Sequence, residues 1–169
     1  PAVTEVKATV GKTLVNLNGT HYTDNGVEVY PDSCKVLGRI FGCNDINGSP
    51  LDTATVHIYK TAGASRTAQK DLDDIVESKH HYHLQAVYGG GNLAAFDPSE
   101  ANKNKATTHV IIDGCDMTSI KQVYGGGNAA STPATKVEVN GTYEIEELFG
   151  GGNGKDDLPD GRPNPGANV

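Results

Sequence analysis

The sequence predicts an all-β chain: a parallel β-helix or β-solenoid of about four coils, with a short helical insertion. Three observations predict it. A short phrase recurs as Val87-Tyr88-Gly89-Gly90-Gly91-Asn92, Val123-Tyr124-Gly125-Gly126-Gly127-Asn128 and Leu148-Phe149-Gly150-Gly151-Gly152-Asn153, with a degenerate first copy, Ile40-Phe41-Gly42-Cys43-Asn44, that is one Gly short. Internal repetition over a few tens of residues is the signature of stacked architectures. Upstream of each copy lies a segment with apolar residues at alternate positions: Val27/Val29, Val56/Ile58, Val110/Ile112 and Val137/Val139. That period places one apolar face on a β-strand. A unit of strand, turn and second strand is too short to bury that face alone, and stacking like units buries it.

Taken in order, residues 1–26 lack the glycine phrase. There Val15-Asn16-Leu17-Asn18-Gly19-Thr20 echoes Val137-Glu138-Val139-Asn140-Gly141-Thr142, so the segment reads as a worn coil or as a hairpin with an Asn-Gly turn, and either would cap the stack. Residues 27–153 form the repeats, with Val27, Val56, Val110 and Val137 expected in one column. A second apolar pair precedes each phrase, at Leu37/Ile40, Leu84/Val87, Ile120/Val123 and Ile145/Leu148. The intervening Asp113-Gly114 and Asn140-Gly141 are dipeptides that tolerate positive φ. Two insertions interrupt the coils. Within 60–80, Ala68, Leu72, Ile75 and Val76 share one helical face opposite Lys70, Asp73, Asp74 and Glu77, which predicts a short amphipathic helix. Residues 93–106 are polar and carry Pro98, which predicts a loop. Without insertions the aromatic positions close up toward a base repeat of about 25 residues. Residues 154–169, with Pro159, Pro163 and Pro165, form a tail or the lead-in to a further coil.

Composition narrows the partners. The 169 residues include 14 basic and 21 acidic side chains, a net charge of −7, which argues against nucleic acid or an anionic membrane surface, since both need a basic patch. No apolar run reaches the roughly 18 residues of a membrane span. The 21 Gly exceed the ordinary share of roughly 7%. The chain opens at Pro1, without a charged-then-apolar signal segment, so any export signal is expected to lie outside this sequence. Cys34, Cys43 and Cys115 have no CxxC spacing, which excludes a zinc knuckle; Cys34 and Cys43 either pair or stay as buried thiols.

The V-Y-G-G-G-N phrase, preceded by its V-x-V strand and turn, resembles the glycine-rich repeats of very large secreted or surface-exposed adhesin-like proteins of gut bacteria. The resemblance runs from about Val27 to Asn153. It implies a multi-coil β-solenoid at the cell surface, extracellular, with neighbouring repeats of the same chain as its first partners and with glycans or host surface proteins as candidate ligands.

The glycine triplets lack the Lys-Ser/Thr of a phosphate loop and open no helix, so they read as tight turns with positive φ. The asparagines that end the phrases, Asn44, Asn92, Asn128 and Asn153, are expected to ladder their amides along the stack. Phe41, Tyr88, Tyr124 and Phe149 are expected to form an aromatic stack, which could also contact sugar rings. Gly151-Gly152-Asn153-Gly154-Lys155-Asp156-Asp157-Leu158 fits one calcium nonapeptide, with Asp156, Asp157 and Asp160 as oxygen donors. That chemistry needs consecutive copies and only one is present, so no metal site is expected. His81 and His83 would share a strand face near His80, but a third ligand is missing. Polysaccharide-cleaving β-helices need carboxylates converging on one groove. The outward positions Glu28, His57, Ile111 and Glu138 supply none, and Glu144, Glu146 and Glu147 on one coil are the single exception. The reading is therefore a non-catalytic structural or adhesive segment without cofactor; the alternative is a carbohydrate-binding or carbohydrate-cleaving parallel β-helix.

Overall fold

The computed structural model describes residues 7–18, 20–32, 34–61 and 82–154. The helix expected within 60–80, His80 and His81, and Asp156, Asp157 and Asp160 lie outside them. Nearly all of the regular secondary structure is strand, and eight of the strands build two parallel sheets. The first contains β2 (Thr13–Leu17), β7 (Ala54–Ile58), β9 (Thr108–Asp113) and β11 (Thr135–Gly141), side by side in that order. The second contains β5 (Val36–Phe41), β8 (Leu84–Tyr88), β10 (Ser119–Tyr124) and β12 (Glu144–Phe149). The chain visits the sheets alternately, so β2 with β5, β7 with β8, β9 with β10 and β11 with β12 make four successive tiers.

Register follows the alternation of apolar residues. Val15, Val56, Val110 and Val137 are aligned across the first sheet, and Leu17, Ile58, Ile112 and Val139 lie two residues further on. Across the second sheet Val36, Leu84, Ile120 and Ile145 align, as do Ile40, Val87, Val123 and Leu148. A one-residue slip would turn each of these rows to solvent. Val56, Ile58, Leu84, Val87, Val110, Ile112, Ile120 and Val123 form one fully buried cluster between the sheets. All eight come from the two middle tiers. Burying a side chain of this kind is worth about 1.5–3 kcal/mol.

Three expectations need correction. Val27 does not join the valine column; Val15 does. Val27 is 64% exposed and begins β4 (Val27–Asp32), which pairs antiparallel with β3 (Thr20–Asp24). The cause is the turn between them, where Asn25 and Gly26 have φ of 48° and 80°. Two consecutive positive φ values make the tight two-residue hairpin that Asn-Gly favours, here at Asn25-Gly26; Val15 and Leu17 lie in a coil strand, as the worn-coil alternative has it, and Gly19 lies outside the described residues. Leu37 is likewise exposed and Val36 takes its inward place, because a bulge between Val36 and Arg39 adds a residue to β5. Gly114 has φ of −120°, and the positive φ falls on Cys115, which opens a 3-10 turn over Cys115–Met117. Gly114 is glycine for space: a Cβ there would lie 2.3 Å from the Tyr59 carbonyl oxygen.

Threonines close three of the tiers. The Oγ1 of Thr13, Thr108 and Thr135 each donates to the carbonyl of Gly42, Gly125 and Gly150 respectively, at 2.6 Å. The start of one strand is thereby clasped to the end of its partner in the other sheet. Residues 93–106 hold no strand or helix and are anchored by buried Ala94, Phe96 and Ala106. A short parallel pair, β1 (Thr9–Val10) with β6 (Ser49–Pro50), flanks the first tier. Among the described residues no helix is long and apolar enough to cross a membrane.

Because Val110 is fully buried in a cluster shared by both sheets, Val110→Asp places a carboxylate where nothing can pair it. The thermal midpoint is expected to fall by about 10 °C or more, in a single transition. A midpoint within about 2 °C of the parent would show that the tiers do not share one core.

Candidate functional site

The recurring phrase gathers into one feature, a ledge running along the ends of β5, β8, β10 and β12. Three parallel rows compose it. The first is aromatic: Phe41 and Tyr88 stack at 4.9 Å, Tyr88 and Tyr124 at 4.8 Å, and Tyr124 and Phe149 at 5.1 Å, with interplanar angles of 17°, 6° and 12°. Tyr88 and Tyr124 are only 3% and 5% exposed, whereas Phe149 is 45% exposed. At the other end the Arg39 guanidinium sits 5.3 Å from the Phe41 ring centroid, a cation–π contact. Burial, followed by the charge of Glu147, pushes the Tyr124 hydroxyl above its ordinary pKa.

The second row is backbone. Gly42, Gly89 and Gly125 donate their N–H groups to the carbonyls of Tyr88, Tyr124 and Phe149 in the next tier, each at 2.9 Å. Gly90 and Gly126 bond in the same direction to Gly126 and Gly151, at 3.0 Å. A Cβ on Gly42, Gly89 or Gly125 would lie 2.3 Å from the oxygen of Gly89, Gly125 or Gly150. No glycine of the described triplets has a positive φ; those that do are Gly26, Gly48 and Gly154. The triplets are therefore glycine because tiers approach backbone to backbone, and not because the chain turns left-handed there. The N–H groups of the first two glycines of each interior triplet are thereby spent on carbonyls of the next tier.

The third row is the amide ladder. Asn153 Nδ2 donates to Asn128 Oδ1 at 2.8 Å, Asn128 Nδ2 to Asn92 Oδ1 at 2.9 Å, and Asn92 Nδ2 to Asp45 Oδ1 at 2.8 Å. Asn44 is not a rung. Asn92 N–H donates to the Asn44 carbonyl just as Asn128 N–H donates to Gly91 and Asn153 N–H to Gly127, so Asn44 stands where the other copies have their third glycine. The first copy has the same length as the others. Asp45 occupies the ladder position, while Asn44 Nδ2 donates to the carbonyls of Ala8 and Asn47.

The other chemistry-bearing residues are held in place by neighbouring tiers. Glu144 accepts from Ser119 Oγ at 2.5 Å and Glu147 from Gln122 at 2.7 Å. Glu146 accepts from Tyr82, whose hydroxyl is raised first by burial and then by the charges of Glu146 and Glu144. The His83 ring bonds to Thr61 Oγ1 at 3.1 Å, and the His83 backbone N–H donates to Ser119 Oγ at 3.4 Å. Ser119 is also fully buried. On the outer face of the first sheet His57 lies 3.8 Å from Asp113, and His109 Nε2 lies 2.9 Å from Glu138. Lys136, which pairs with the same carboxylate, and His109 hold Glu138 below the usual glutamate range. Glu28, expected beside them, belongs to the hairpin. Among the described residues no group of three His, Cys, Asp or Glu is placed to hold a metal ion. All three cysteines are free, and burial pushes the Cys43 thiol up to about 12.

Sequence reasoning missed Asp45, the His109–Glu138–Lys136 cluster and the Thr61–His83–Ser119 network. A signal for the first was available: with the aromatic counted as position one, position five in every copy sets Asp45 beside Asn92, Asn128 and Asn153. A hollow of about 490 Å³ lies beside the aromatic row, lined by Gln122, Tyr124, Glu147, Phe149, Gly152 and Asn153. Comparison with protein-family models, curated proteins and solved structures finds no match.

Two expectations follow. Gly89→Ala forces a methyl into the Gly125 carbonyl and should cost about 1–3 kcal/mol or more, seen as a lower denaturation midpoint; an unchanged midpoint would mean the ledges are further apart. With a thiol reagent at pH 8, exposed Cys115 should react first and Cys43 only on unfolding. Equal rates in the native protein would contradict the burial of Cys43.

Proposed function

We propose that this chain is a four-coil segment of a parallel β-solenoid, serving as a non-catalytic structural or adhesive part of a large extracellular repeat protein. One observation carries the reading: the recurring phrase spends its chemistry on its own neighbours. Ring faces lie on ring faces, amides bond amides, and glycine N–H groups bond the carbonyls of the adjoining tier. A motif selected for a reaction would instead leave a nucleophile, an acid or a set of donors facing a groove. The parallel register of both sheets and the continuous core support the solenoid, and the resemblance of the phrase to surface repeats supports the extracellular setting.

A carbohydrate contact is the second reading, and the hollow beside Phe149 favours it, since an exposed ring with Gln122 and Glu147 at its rim can face a sugar. Stacking has already consumed both faces of Tyr88 and Tyr124, so a contact there would be confined to one ring and weak.

The purified chain, incubated with a panel of host and plant polysaccharides, is expected to release no reducing sugar. Release that disappears in Glu144→Gln or Glu146→Gln would replace the structural reading with a catalytic one. Glycan binding that is lost in Phe149→Ala, without any release, would make the contact adhesive and place it at the exposed end of the stack.

A further inference from the structure

Resting on the solenoid reading, we propose that the face formed by β11 and β12 is a docking surface for one further unit of the same pattern, stacked in parallel: a strand pair whose second strand ends aromatic-Gly-x-x-Asn. Three independent features of this face repeat the three interfaces already present between tiers, each with its outer half uncovered.

The first is Gly150. Its counterparts Gly42, Gly89 and Gly125 must lack a side chain because the next tier's carbonyl occupies that space at 2.3 Å. A Cβ on Gly150 would meet nothing within 4 Å, and Gly150 is not among the glycines with positive φ. Nothing among the described residues requires glycine there; a covering tier would. The second is apolar. Leu148 and Phe149 are 46% and 45% exposed, while their aligned partners Val123 and Tyr124 are 0% and 5% exposed. The third is polar. Each ladder amide donates toward the first tier and accepts from the tier after it, so Asn153 Oδ1 is the acceptor for an incoming amide N–H.

The opposite end selects against a second copy as occupant. Its ladder position holds Asp45, a carboxylate that accepts and cannot donate, so apposing it to Asn153 Oδ1 sets acceptor against acceptor. Residues 8–10 also run along that ledge, with Ala8 accepting from Asn44 Nδ2 and Ser49 N–H, and Val10 from Leu51 N–H. The fitting occupant is a unit that brings its own Asn at that place, as the fourth unit does.

The test is a tandem chain in which residues 129–153 are repeated immediately after Asn153. Hydrogen exchange at the amides of β12 and of Gly150 to Asn153 should slow by about tenfold or more relative to the parent. Gly150→Ala should leave the parent's melting midpoint within about 2 °C, because its methyl points into open space, yet should abolish the added protection in the tandem chain. Should the tandem chain aggregate, a peptide of residues 129–153 added to the parent must slow the same amides. Unchanged exchange, or protection that survives Gly150→Ala, would overturn the proposal. Concentration-dependent dimerisation of the parent that protects these amides would reassign the face to a second copy. Because none of these readouts involves glycan turnover, their failure is separable from failure of the non-catalytic reading.

Discussion

The separation between successive glycine ledges is the constraint on which the rest of the molecule depends. At Gly42, Gly89 and Gly125 a neighbouring carbonyl lies 2.3 Å from where a Cβ would be, a distance no side chain allows. That approach lets Gly42, Gly89 and Gly125 N–H bond straight across to the next tier at 2.9 Å, and it fixes the register of the second sheet at its end. Once the ledges are aligned, Phe41, Tyr88, Tyr124 and Phe149 must fall in line one residue earlier, at spacings of 4.8–5.1 Å, close to the distance between hydrogen-bonded strands. The threonine clasps carry the same register into the first sheet, since Thr13, Thr108 and Thr135 bond the ledge carbonyls directly. The valine column is then a consequence as much as a cause.

What the sequence made legible is what strict periodicity can encode. Val56, Val110 and Val137 alternate with polar residues, and the glycine phrases recur, so the parallel rows and three of four column members could be read directly. The misread positions are those where a local effect breaks the period. Asn25-Gly26 has its own turn preference, and two positive φ values outweigh the alternation of Val27 and Val29, drawing them into a hairpin. A bulge in β5 exchanges Leu37 for Val36. Asn44 attracts attention by identity, whereas the ladder is set by position, and position five belongs to Asp45. The reason for the glycines was also invisible in one dimension: a turn with positive φ and a close backbone approach demand the same residue, and only the geometry separates them.

The same self-complementarity engages acidic side chains of the described tiers. Glu144 and Glu147 receive hydrogen bonds from Ser119 and Gln122 of the preceding tier, and Glu138 is held ionised by Lys136 and His109. Carboxylates hydrogen-bonded in this way tie neighbouring tiers together.

Stacking of this kind distributes stability unevenly, and the distribution has a direction. The middle tiers contribute the fully buried side chains, whereas the flanking positions Val15, Leu17, Val137 and Ile145 are partly open. In a nearest-neighbour array a terminal unit has one interface where an inner unit has two, so it is the first to open. The two ends nevertheless differ in chemistry. One terminates its ladder on an acceptor-only carboxylate and is lined by residues 8–10; the other retains a glycine with empty space above it, an exposed ring and an amide oxygen pointing onward. A cap is recognised by side chains that break the pattern, as Asp45 does. The fourth tier breaks nothing, and its residues remain those of an inner unit.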